Sequence, residues 1–255
     1  MSNPPHKQQY ASLSDIGNVA EVNEDTIFTG DNLWIIADGM GGHACGEVAS
    51  EQAITRIQAS LENNTSISDS IQQAHEEIVR LSTQDENLTG MGTTIVALIQ
   101  SAHSLELAWV GDSRAYLWDG RKNTFSQLTK DHSLVEKLLE AGVITPEQSR
   151  EHPKRHVITQ CLGSLEVEML EVDTLTLHWQ NDQKIMLCSD GLTDELTDNE
   201  IANVLSRNIT LDEQVEQLVD KAKLAGGKDN ISVILIAAPT VEHQNIWNKL
   251  TSVFR

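Results

Sequence analysis

Five short runs rich in Ile, Val and Leu, at residues 33–37, 94–99, 105–110, 185–188 and 231–237, constrain this chain more than any other feature. Runs of this length and composition predict strands of a buried core. Between them the period changes. Ile67, Ile71, Ala74, Ile78 and Leu81 recur at spacings of four and three, as do Leu211, Val215, Leu218 and Ala222, which predicts helices with one apolar face. A third helix is expected over 47–61, with Ile54, Ile57 and Leu61 facing inward. The helices follow blocks of strands in pairs rather than alternating with single strands. That order argues against a parallel βαβ sheet and for a layered sandwich of mainly antiparallel sheets and helix pairs.

One domain is expected for 255 residues of which 39% are apolar. Residues 131–163 read as a polar helical insertion between strand regions, a candidate flap over a site. In the tail, 239–255, Ile246, Trp247, Leu250 and Phe254 fall near one helical face. An extra helix docked on its own domain is the first reading of that tail, and a partner-binding tail the second.

A formal charge of −20 disfavours nucleic acid as a partner, and no Lys/Arg stripe stands against it. Cys45, Cys161 and Cys188 are widely spaced and form no CxxC pair, which fits a reducing compartment. The opening MSNPPHKQQY lacks a basic-then-apolar signal pattern, and no apolar run approaches a membrane span. A cytoplasmic protein is expected.

The acids are placed unusually. Asp38, Asp112 and Asp190 close apolar runs, and Asp229 opens one. A single Asp-Gly pair reads as a β-turn. Four such acids suit a cage of oxygen ligands for hard divalent cations such as Mg²⁺ and Mn²⁺, which would relieve the repulsion among them. Competing chemistries fail on spacing. The sixth residues after the three cysteines are Glu51, Val167 and Asp194, so no cysteine–arginine phosphate cradle is present. No GxxxxGK[ST], HExxH, GxSxG or EF-hand pattern occurs. His152 and His156 are four apart, but Pro153 prevents a shared helical face, and both are expected at the surface.

Seven segments carry a family resemblance: SDIGNVAEVNED (14–25), ADGMGGHACGEVAS (37–50), GTT (92–94), VGDSRAYL (110–117), LTKDHS (128–133), CSDGLTD (188–194) and GGKDNISVILI (226–236). In this order they resemble the motifs of the bacterial metal-dependent Ser/Thr protein phosphatases of type 2C. The resemblance implies an α+β fold, a four-layer α-β-β-α sandwich with two mainly antiparallel central sheets, and a catalytic domain over 1–238. It implies two Mn²⁺ or Mg²⁺ ions between the sheets. Asp38 would serve both ions, Asp190 and Asp229 one, and the Gly39 carbonyl with the Glu24/Asp25 pair the other. Asp112 with Asp190 would take a weaker third ion, and Asn230 would support the set. The implied reaction is hydrolysis of phosphoserine and phosphothreonine by a water activated between the ions. His43 is the candidate acid for the leaving oxygen. The implied partners are phosphorylated proteins, substrates of a bacterial Ser/Thr kinase, with a monomer expected.

One position departs from the family pattern. The Arg that usually binds the substrate phosphate, three residues after Gly17, is Ala20 here. Lys154 or Arg155 of the insertion are the possible substitutes. Two rival functions remain: a weakly active or inactive phosphoprotein-binding regulator on the same fold, and a two-metal nuclease or phosphodiesterase, which the charge disfavours.

Overall fold

A computed structural model describes residues 9–41, 45–102, 104–167 and 169–239. His43 and residues 240–255 of the expected tail lie outside the described residues. The strands form two sheets in which every pairing is antiparallel. One sheet has the order β1 (Tyr10–Asp15), β11 (Ile231–Ala237), β10 (Gln183–Cys188), β7 (Arg114–Asp119) and β8 (Thr124–Gln127). The other runs β2 (Asp25–Thr29), β3 (Leu33–Met40), β5 (Ile95–Gln100), β6 (Leu105–Val110) and β9 (Asp173–Leu177), with β4 (Gly92–Thr93) added at the end of β3.

Successive side chains of a strand point to opposite faces, and here each face has its own core. On β3, Trp34 and Ile36 pack between the sheets, while Ile35 and Ala37 meet the helices. On β11, Ile234 and Ile236 lie between the sheets, and Ile231, Val233 and Leu235 face the other helix layer. Helices α1 (Cys45–Glu62) and α2 (Ile67–Gln84) cover one sheet; α6 (Asp198–Leu205) and α7 (Leu211–Ala225) cover the other. The result is the four-layer sandwich expected.

Local sequence fixes where the helices begin. Ser66 caps α2 by accepting from the Asp69 amide, and the Thr197/Glu200 and Thr210/Glu213 pairs form reciprocal capping boxes at α6 and α7. Residues 131–163 contain two short helices, α3 (Leu134–Glu140) and α4 (Pro146–Arg150), and little other regular structure. The segment is stitched back at Ser133–Ile158 and Thr93–Leu162 bridges. No helix among the described residues is long and apolar enough to cross a membrane.

Topology gathers the acids at one edge. β3 and β6 are separated by the antiparallel β5, so their C-terminal ends lie together. The C-terminal end of β10 lies beside the N-terminal end of β11 for the same reason. Asp38 stands inside β3 rather than after it, paired in register with Asp25 of β2. It continues the face of Trp34 and Ile36, which aims its carboxylate between the sheets.

Candidate active site

At that edge a cavity of about 470 Å³ is lined by Glu24, Asp38, Gly39, Asp112, Asp190 and Asp229 among others. Local contacts fix most of them. Thr94 holds the Asp38 peptide from both sides, its Oγ1 accepting from the Asp38 amide at 3.1 Å and its amide donating to the Asp38 carbonyl at 2.8 Å. Thr93 Oγ1 donates to the same carbonyl at 2.9 Å. The start of α1 presses against β3 so closely that a Cβ on Gly39 would lie 2.1 Å from the Gly46 carbonyl oxygen. That approach lets the Gly46 amide donate to Glu24 Oε1 at 3.2 Å. On the other sheet, Gly17 at φ 80° crosses the Asp229 carbonyl, where a Cβ would meet the oxygen at 2.2 Å. Asp190 opens the single turn α5 (Asp190–Thr193) directly after β10.

The carboxylates raise one another's proton affinity. Burial first, then repulsion from Asp25, Asp190, Asp112 and Asp229, pushes Asp38 well above the usual carboxylate range. Asp190 is raised well above it by burial and then by Asp112, Asp194, Asp229 and Asp25. Asp112 is pushed up to about 7, by burial and then Asp131, and Asp25 to about 6, chiefly by burial. Glu24 is raised by burial, against the Gly46 hydrogen bond. Such a cluster is poorly balanced by protein alone, and an oxygen-rich acidic set of this kind fits hard divalent cations.

Other expected residues are placed differently. Asp25 lines no part of the cavity; it sits behind it, accepting from Ser189 Oγ at 2.7 Å. Asn230 stands where a supporting residue is expected: its Nδ2 donates to the carbonyls of Ile16 and Val22, and its Oδ1 accepts from the Glu24 amide. Ala20 is half-buried in the loop before Glu24 and lines no part of the cavity. Of the two substitute cations, Arg155 lines the cavity and Lys154 does not.

His156 lies at the surface as expected, while His152 is half-buried; the position of His156 beside Asp194 is what the sequence did not show. The His156 Nδ1 lies 3.1 Å from Asp194 Oδ2 at the rim of the cavity. Among the described residues, His156, Asp190 and Asp194 form a set whose potential ligand atoms lie within 4.8 Å of one another. Asp194 went unassigned in the sequence, although it follows Asp190 by four residues, one helical turn, in the segment CSDGLTD. His156 left no signal, because its Asp194 contact joins two distant segments.

Comparison with known proteins decides the family. The protein phosphatase 2C model matches residues 18–226. The chain belongs to the protein phosphatase 2C family. The serine/threonine phosphatase stp of Listeria monocytogenes serotype 4b (strain F2365) is 39% identical over 239 residues, covering 88% of this chain and 93% of that protein. The crystal structure of the Mycobacterium tuberculosis serine/threonine phosphatase PstP/Ppp superposes with a TM-score of 0.83 at 33% identity, over 91% of this chain and 99% of that one. The PstP catalytic domain solved with two manganese ions gives a TM-score of 0.80 at 32% identity, again over 91% and 99%. Both phosphatase 2C structures thus share the sandwich across nearly its whole length.

Proposed function

We propose that this protein is a metal-dependent phosphoprotein phosphatase that hydrolyses phosphoserine and phosphothreonine. One observation carries the reading: Glu24, Asp38, Asp112, Asp190 and Asp229, from both sheets, line a single cavity. Asp38, Asp190, Asp229 and Glu24, with the Gly39 carbonyl, would hold two Mn²⁺ or Mg²⁺ ions, and Asp112 with Asp190 a third. Asp25, hydrogen-bonded to Ser189 and paired in register with Asp38, backs the Asp38 side of the set. When bound, the ions supply an activated water and positive charge against the phosphoryl oxygens.

The remaining work falls to the chain. Arg155 binds and orients the phosphate from the 131–163 segment, which acts as a flap carrying Arg155, His156 and Ile158 to the cavity. Asn230 keeps Glu24 in place through the loop it clamps. His43 protonates the leaving oxygen. The substrates are phosphoproteins, products of a Ser/Thr kinase, met by a cytoplasmic monomer whose catalytic domain spans 1–238.

A Mn²⁺-dependent assay on a phosphothreonine peptide tests this, with Asp38→Asn as control. Turnover that requires Mn²⁺ and vanishes in the control is expected; no metal-dependent turnover would overturn the reading. A second reading, phosphoprotein binding without turnover, draws on Ala20, where the family's phosphate-binding Arg is missing. Stoichiometric capture of the intact phosphopeptide would favour it.

A further inference from the structure

A second cavity, of about 380 Å³, lies between α3 and α4 on one side and the start of α6 on the other. Asp112, Arg155, His156, Asp190, Asp194 and Glu195 line both cavities, so the two are continuous. A phosphorylated residue with its phosphate in the acidic cavity carries polypeptide on either side, advancing at most about 3.3–3.6 Å per residue. A residue flanking the phosphorylated one is therefore within reach of the second cavity.

The walls of this cavity have two characters. Val135, Leu139, Pro146 and Leu196 offer apolar surface, while Glu136 of α3 and Asp198 of α6 bring carboxylates. Much of the positive charge is already engaged. Arg114 is bound to Asp131 at 2.6 Å, and Asp194 is already in contact with His156 at 3.1 Å. Arg155 is shared with the first cavity, which leaves Arg150 against Glu136 and Asp198.

We propose that the second cavity is a subsite for the residue flanking the phosphorylated one, and that it selects lysine or arginine. The long methylene stem packs on the apolar wall while the cationic head meets Glu136 and Asp198. The inference rests on the phosphatase reading above and names the substrate class of that site.

The test uses the full chain with Mn²⁺ and a set of phosphothreonine peptides with Arg, Ala or Glu at each of the two positions on either side. At one position the Arg peptide should exceed its Ala counterpart by roughly two- to fivefold in kcat/KM, and the Glu peptide should fall below both. In the Glu136→Gln/Asp198→Asn double variant the Arg-to-Ala ratio should collapse toward one. The ratio is read within each enzyme, so a smaller folded fraction does not alter it. Raising NaCl should erode the preference in the unaltered protein. Peptide turnover with a ratio near one, a preference for Glu, or a ratio unchanged in the double variant would overturn the subsite and leave the phosphatase reading standing. No turnover of any peptide would overturn both.

Discussion

Asn230 donates to the carbonyls of Ile16 and Val22 and accepts from the Glu24 amide, so one side chain spans the loop that delivers Glu24. Asn230→Ala should therefore cost about 1–3 kcal/mol of stability, by leaving half-buried polar groups unmatched. It should also weaken Mn²⁺ binding in a calorimetric titration. An unchanged affinity alongside a lowered Tm would confine Asn230 to the fold. The phosphate contact is a second single-residue question. Arg155→Ala should raise KM for a small phosphate ester about ten- to a hundredfold, the worth of one charge-assisted hydrogen bond. With Arg155 filling the role, Ala20→Arg should leave KM nearly unchanged in the parent protein and lower it in Arg155→Ala; a lowered KM in the parent would show that Arg155 does not hold the phosphate.

At the scale of elements, α2 and the end of the 131–163 segment meet through His75, whose buried Nδ1 accepts from the Gly163 amide at 3.1 Å. Burial holds this imidazole below its ordinary value of 6.5, so the unfolded chain takes up the proton first as pH falls. Stability carried by neutral His75 is complete above about 6.5 and is lost as pH drops below it. Melting curves between pH 7.5 and 5.5 should show the parent protein losing its advantage over His75→Asn as the pH falls; a constant gap would remove His75 as the cause. The same scale explains what was legible in the sequence. β3, β5, β6, β10 and β11 were recognisable because both faces are buried, giving continuous Ile, Val and Leu. β8, TFSQ, is mostly exposed, and β9, DTLTL, alternates half-buried and exposed residues, so neither makes an apolar run. β7, RAYLWD, hides a strand behind Arg114, whose charge is matched by Asp131 from a loop that sequence spacing does not connect to it. The acids at strand ends were readable for the converse reason: a carboxylate closing an apolar run stands out. The His156–Asp194 contact was not, because it depends on how the insertion folds back.

For the whole molecule, convergence at one edge of two sheets is also a liability. Folding brings together carboxylates that the unfolded chain keeps apart, and burial with mutual repulsion raises Asp38 and Asp190 far from their ordinary ionisation. Divalent ions that bind only this assembled set stabilise the native state by mass action, about 2.7 kcal/mol at a hundredfold excess over Kd. For a domain of this size that is roughly 5–10 °C in Tm. Chelation should therefore lower Tm by that order, and Mn²⁺ should restore it, with protons released on binding because the raised carboxyls must ionise. Asp38→Asn puts a neutral amide where burial and the neighbouring carboxylates already favour a neutral carboxyl. In chelator it should melt no lower than the parent, and its response to Mn²⁺ should be nearly flat. NaCl at equal ionic strength should reproduce little of the parent's shift, since screening acts weakly on buried groups. An equal Mn²⁺ response in Asp38→Asn would move the metal set elsewhere, with His156, Asp190 and Asp194 the next place to look.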